Sequence, residues 1–191
     1  MHSGRNSGYW LVRIVSRYPI QVLSMVILVS LFSVSLRDRS ANTAAFSPAL
    51  STSEPPLIVG ESRVIDGDTL HIGSAKIRLW GIDAPESQQT CDRSGKSWPC
   101  GVAAKNALSE RIAGKQVSCR EEATDRYDRI VAECFVEGQN LNDWLVANGW
   151  ALAYRRYSSK FVATENIAKT EEAGLWQGSF TEPWEWRRQN R

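Results

Sequence analysis

The chain has 191 residues, 42% of them apolar and eight of them tryptophan, enough for one ordinary domain with a true core plus accessory segments. Its formal net charge is +2, divided as +3 over residues 1–60 (five Arg, two acids) and −1 over residues 61–191 (18 Lys/Arg, 19 Asp/Glu). A nearly neutral domain is excluded as a general polyanion sponge. Any contact with nucleic acid must therefore run through a local arginine cluster.

Arg5, Arg13 and Arg17 precede the uncharged run VLSMVILVSLFSVSL from Val22 to Leu36. Positive residues ahead of about fifteen apolar ones mark residues 1–36 as a secretory signal or a signal anchor. With Pro19 and Ile20 the run approaches bilayer-spanning length, so residues 19–36 offer an inner-membrane tether. Ala41, Ala44 and Ala45 offer a cleavage site, imperfect because Arg37-Asp38-Arg39 intervenes, and cleavage is the favoured outcome. Residues 37–60, rich in Ser, Thr, Ala and Pro, read as a disordered linker. The expected location is periplasmic or secreted, with membrane anchoring as the alternative.

All four cysteines, Cys91, Cys100, Cys119 and Cys134, lie beyond the apolar run and are even in number, as suits an exported domain. Zinc is disfavoured, because there is no Cys-x-x-Cys pair and the only histidines are His2 and His71. Neighbouring pairings are expected. Cys91–Cys100 would staple a loop, and Cys119–Cys134 would bridge two strands of a hairpin.

Residues 61–180 read as strands followed by helices. Ser62–Asp66, Thr69–Ile72 and Lys76–Ile82 are β-rich runs, with a turn at Gly73-Ser74-Ala75. In the third run Ile77 and Leu79 share one face, and Lys76, Arg78 and Trp80 the other. Residues 101–113 place Ala104, Leu108 and Ile112 on one helical stripe that stops at Gly114. Gln116–Arg120 and Ile130–Val136 are two further strands around a charged connection. A second helix runs from Leu141 to Asn148 with Asn140 as its cap and Gly149 as its stop, and a third lies between Ser159 and Gly174. This order predicts a mainly β fold with helices, a small five-stranded Greek-key barrel packed by three α-helices. Residues 181–191 are a Trp/Arg-rich tail. In it Trp184, Trp186, Arg187 and Arg188 either stack on single strands or, more ordinarily, pack on the barrel.

Three polar clusters carry the chemistry: Asp66-Gly67-Asp68-Thr69, Arg78 with Asp83-Ala84-Pro85-Glu86, and Asp125-Arg126-Tyr127-Asp128-Arg129. Asp68 ends one strand and Asp83 follows another, so one sheet edge can bring both carboxylates together. Two carboxylates without a usable histidine or thiolate make a hard oxygen site, suited to Ca²⁺ or Mg²⁺. Pro85, with its fixed φ, aims Glu86 back toward such an ion.

VIDGDT at 64–69, IRLWGIDAPE at 77–86, TDRYDR at 124–129 and the later LNDWLVANGWALAY and GLW segments resemble the staphylococcal nuclease (thermonuclease) family over roughly 60% of the chain. The resemblance implies an OB-type barrel and a Ca²⁺-dependent phosphodiesterase acting on DNA or RNA, mainly by internal cleavage to 3′-phosphate and 5′-hydroxyl ends. It implies Ca²⁺ ligation by Asp68, Asp83 and the Ala84 carbonyl, with Asp66 nearby but outside the ligand set. It further implies Glu86 as general base or water-orienting group, Arg78 and Arg129 on the phosphate, and Tyr127 on the nucleotide. No protein partner is implied, and a monomer is expected.

Departures from the family pattern are few. Ala84 stands where the best-known member has threonine, which preserves a carbonyl ligand. Asp128 stands where many relatives have glycine, and sets a negative charge beside Arg129. A non-catalytic nucleic-acid-binding OB module is the alternative, and it needs a missing member among Asp68, Arg78, Asp83, Glu86 and Arg129. All five are present.

Overall fold

The computed structural model describes residues 57–191. The signal or anchor segment and most of the expected linker lie outside them. No helix among the described residues is long and apolar enough to cross a membrane.

The chain opens with β1 (Ile58–Val64), β2 (Thr69–Ile72) and β3 (Ala75–Leu79) as an antiparallel meander. β1 thus begins inside the stretch 37–60, because Ile58–Glu61 pair with Gln116–Cys119. Beyond a turn at Trp80-Gly81, the short β4 (Ile82–Asp83) follows, so the expected third strand is broken in two. β5 (Cys91–Arg93) and β6 (Lys96–Trp98) form a small hairpin that sequence patterning did not reveal, and α1 (Cys100–Ile112) comes next. β7 (Gln116–Thr124) and β8 (Ile130–Val136) form a long hairpin, and β9 (Gln139–Asn140) leads into α2 (Leu141–Ala147). β10 (Leu152–Ala153) pairs with β4, and α3 (Val162–Thr170) packs behind it.

β3 also pairs with β8 in parallel, which closes the ring β1-β2-β3-β8-β7. By order of appearance these five are strands 1-2-3-5-4, the OB arrangement that the sequence predicted. Period-2 alternation fills the interior: Leu70 and Ile72, Ile77 and Leu79, Val117 and Cys119, and Ala132, Cys134 and Val136 are all buried. α1 contributes Ala104, Leu108 and Ile112, the stripe expected from their spacing. α2 is capped by the Asn140 side chain, which accepts from the Asp143 N–H at 3.0 Å.

Two helix expectations need correction. α3 ends at Thr170 rather than Gly174, because Glu172 adopts φ 51° and turns the chain into a 3₁₀ turn at Gly174–Gln177. The tail at 181–191 contains a fourth helix, α4 (Pro183–Gln189), started by proline at its first turn. Trp184 on this helix packs rather than projects. It stacks on Tyr154 (centroids 5.5 Å apart, planes at 8°) and joins a second apolar cluster with Cys91, Cys100, Leu152 and Leu175.

Both expected disulfides are present. Cys119 and Cys134 face each other across β7 and β8, and Cys91–Cys100 ties the β5–β6 hairpin to the start of α1.

Candidate active site

The loop between β1 and β2 is folded by its own acids. The Asp68 N–H donates to Asp66 Oδ1 at 3.1 Å, and the Ile65 and Asp66 N–H groups donate to the Thr69 carbonyl. Burial, with the Asp68 charge adding to it, pushes the Asp66 carboxyl up to about 6. Gly67 lets this loop press on its neighbours, since a Cβ there would lie 2.7 Å from the Ala84 Cβ and 3.1 Å from the Ala104 Cβ. The loop after β1 is thereby seated against the segment after β4.

That contact brings Asp68 and Asp83 together from opposite sides of one guanidinium. Arg78, projecting from β3, donates through Nη1 to Asp68 Oδ1 at 2.8 Å and through Nη2 to Asp83 Oδ1 at 2.7 Å. Both carboxylates are buried, and the Arg78 side chain is only 19% exposed. Asp68 also accepts from the Thr69 hydroxyl at 3.1 Å and from the Ala84 N–H at 3.0 Å. Burial acts to lower the Arg78 pKa, but the two carboxylates overcome it and raise the value. Burial is also the largest influence on Asp83, and it holds that carboxyl above its usual value despite the hydrogen bonds from Arg187 and the charge of Arg78.

Glu86 completes this group, and its backbone is fixed by contacts no local pattern announces. The Glu86 N–H donates to Gln89 Oε1 at 3.2 Å, and the Gln89 N–H donates to the Glu86 carbonyl at 2.7 Å. Gln89 is fully buried and donates through Nε2 to the Thr181 carbonyl at 2.6 Å, tying this turn to the chain that leads into α4. Gly101 is required at the start of α1, because a Cβ there would stand 1.8 Å from the Glu86 carbonyl oxygen.

Arg187, from the last turn of α4, was anticipated only as a tail residue. It donates through Nη1 to Asp83 Oδ1 at 3.0 Å and through Nη2 to Asp83 Oδ2 at 2.7 Å. Its Nη1 also donates to Glu86 Oε1 at 2.7 Å. Burial works against this charge, yet the bonds to Asp83 and Glu86 prevail and raise the Arg187 pKa.

Arg129 and Tyr127 belong to the β7–β8 turn. Arg129 directly precedes β8, whose Ile130 and Val131 pair with Ile77 and Arg78 on β3, so it stands diagonally beside Arg78 on the outer face of the barrel. Its guanidinium is held by Asp125 (Nε to Oδ2 2.8 Å, Nη2 to Oδ2 2.7 Å) and lies 5.7 Å from the Tyr127 ring centroid. Burial opposes the Asp125 charge, but the Arg129 side-chain and backbone bonds lower its pKa. Tyr127 is 61% exposed. Asp128 adopts φ 56°, a left-handed turn position, but the acid bonded to Arg129 is Asp125.

The structure thus gathers Asp68, Arg78, Asp83, Ala84 and Glu86 at one end of the barrel. Asp66 is bonded to the Asp68 N–H, and Arg129 and Tyr127 lie on the β7–β8 turn. Residues 76–178 match the family described as Staphylococcal nuclease homologue. A protein named Succinoglycan biosynthesis protein ExoI, from Rhizobium meliloti (strain 1021), is 34% identical over 76% of this chain and 78% of its own length. An uncharacterized endonuclease of Haemophilus influenzae is 34% identical over 68% of this chain and 72% of its own. The probable staphylococcal-like nuclease CAN1 of Oryza sativa subsp. japonica is 34% identical over 61% of this chain and 33% of its own. On a family match covering more than half the chain, and a barrel that carries the resemblance in three dimensions, this protein belongs to the staphylococcal nuclease homologues.

Proposed function

We propose that this chain is an exported, Ca²⁺-dependent endonuclease that hydrolyses phosphodiester bonds of DNA or RNA and leaves 3′-phosphate and 5′-hydroxyl ends. One observation carries it: two buried carboxylates, Asp68 of the β1–β2 loop and Asp83 at the end of β4, share a single guanidinium, with Glu86 three residues beyond Asp83. Relatives named as endonuclease and staphylococcal-like nuclease support nucleic acid as the substrate class.

The donor set fits a hard divalent ion. Among the described residues no three His, Cys, Asp or Glu side chains converge as a metal cluster. Asp68, Asp83 and the Ala84 carbonyl would hold the ion, with water filling the remaining positions, and all of these are oxygen donors. When bound, the ion supplies positive charge beside the phosphate that undergoes attack.

The protein's own groups do the rest. Arg78 and Arg129 hold phosphate oxygens through planar forks that stay protonated, and they stabilise charge as it builds on phosphorus. Glu86 orients the attacking water and accepts its proton as the new P–O bond forms and the P–O5′ bond breaks. Asp125 keeps the Arg129 guanidinium on the β8 side, and exposed Tyr127 offers a ring face to the nucleotide.

The test is digestion of single-stranded DNA, double-stranded DNA and RNA by the purified domain, with Ca²⁺ and with chelator. Cleavage that needs Ca²⁺ and yields phosphatase-sensitive 3′ ends is expected. Binding without cleavage would instead favour the non-catalytic module. Export rests on residues 1–36 and is checked by fractionating cells that express the full chain.

A further inference from the structure

Arg187 stands outside the motifs that define the site, yet it makes more hydrogen bonds to the carboxylates than Arg78 does. Asp83 Oδ1 accepts from both Arg78 and Arg187, and Asp83 Oδ2 accepts from Arg187. A carboxylate oxygen has about two acceptor positions, so Oδ1 is saturated and Oδ2 is half used. Glu86 Oε1 is engaged by the same guanidinium. A divalent ion drawn to Asp83 therefore meets a cation already in place, and two cations on one carboxylate repel each other.

We propose that Arg187 is an exchangeable counter-ion, a positioning residue that holds Asp83 and Glu86 in the metal-free protein and gives up Asp83 to the incoming ion. The released guanidinium then faces the phosphodiester as a third arginine. This rests on the metal-dependent reading above.

Charge balance gives the exchange its direction. Asp68, Asp83 and Glu86 against Arg78 and Arg187 leave one net negative charge, which attracts a divalent cation but not a phosphodiester. With the ion added, the same five groups carry one net positive charge, which a phosphodiester neutralises. Without Arg187 the loaded cluster would be neutral and its attraction for substrate weaker.

The anchoring of α4 suits a side-chain exchange rather than loss of the helix. The chain ahead of the helix is pinned by the Gln89–Thr181 bond and by backbone pairing of Ser179 with Asp92, and Trp184 is stacked on Tyr154. Arg187 extends one turn beyond these anchors, with its side chain 30% exposed. It can leave Asp83 while Trp184 stays seated.

The experiment measures two affinities that the proposal moves in opposite directions. Ca²⁺ binding to the full chain without substrate is followed by calorimetry for wild type, Arg187→Ala and Arg187→Gln. Binding of a hydrolysis-resistant phosphorothioate oligonucleotide is then measured at saturating Ca²⁺. Removing the competitor should tighten Ca²⁺ about tenfold and weaken the oligonucleotide about tenfold, while Arg187→Lys, which keeps the charge but not the bidentate fork, falls between wild type and Arg187→Gln in both. The glutamine variant retains the Cβ–Cδ stem and a polar end, so it reports even if the alanine variant loosens α4. A purely structural Arg187 would weaken both affinities, and that result overturns the proposal. Unchanged Ca²⁺ affinity overturns it while leaving the metal-dependent reading intact, whereas absence of Ca²⁺ binding in every form removes both.

Discussion

Arg129 is bonded to Asp125 in a short loop, and this single pairing decides how the arginine proposed to bind phosphate is aimed. A guanidinium held at Nε and Nη2 keeps fewer rotamers, so less freedom is lost when it meets a phosphate. Glu86 is held by its backbone through Gln89, which leaves its carboxylate to Arg187 and the reaction. Arg129→Ala should lower kcat by about 10²–10³, and Glu86→Gln by about 10²–10⁴. Steady-state kinetics on a defined oligonucleotide check both, and unchanged melting temperatures show that the loss is chemical. At this scale the acid and arginine motifs were legible because their members fall in three short runs, at 64–69, 77–86 and 124–129. Arg187 was not, because 104 residues separate it from Asp83 and no periodicity connects them.

At the scale of elements, two buried polar side chains attach helices to the barrel. Asn142 on α2 accepts from the Cys134 N–H and donates to the Trp80 and Ala132 carbonyls, satisfying backbone groups of β8 and of the turn after β3. Asn142→Ala removes this partner from the Cys134 N–H and the Trp80 carbonyl, while the Ala132 carbonyl keeps its bond from the Trp80 N–H, and should cost about 3 kcal/mol in chemical denaturation. Glu165 on α3, with a fully buried side chain, accepts from the Ala153 N–H, Arg155 and Lys169, and so ties α3 to β10. Burial alone would raise its pKa, but the bonds from Arg155, Lys169 and Ala153 prevail and lower it. Its stabilisation is therefore complete above the ordinary glutamate range and is lost as pH falls through its depressed folded value. The difference in unfolding free energy between wild type and Glu165→Gln should be constant from pH 6 to 8 and shrink as acid is added. Helix α1 and the Asn140 cap were readable from stripe and capping chemistry. The early end of α3 was not, because it depends on a left-handed φ at Glu172 that no residue preference signals.

For the whole molecule, closure is the decisive event, because the parallel β3–β8 pairing sets Arg78 beside the strand that follows Arg129. The Cys119–Cys134 disulfide lies in the same sheet and closes a 15-residue separation across the β7–β8 hairpin. In the chain-entropy account such a bridge contributes about 3 kcal/mol. The double variant Cys119→Ala, Cys134→Ala should lose about that much stability in denaturant titration. The Ca²⁺ requirement proposed above should persist in it, since neither cysteine bonds to the carboxylates.

Local physics alone determined much of this protein. Alternating apolar residues specify the five barrel strands, neighbouring cysteines specify both bridges, and the short acid–arginine motifs supply the chemical groups at one end. Only the tertiary structure decided which distant chain returns to that end. Thr181 on Gln89, Trp184 on Tyr154 and Arg187 on Asp83 and Glu86 are contacts between segments whose separation erases any periodic signal. Such contacts arise from burying tryptophan surface and pairing desolvated charge, and both depend on where the closed barrel leaves room.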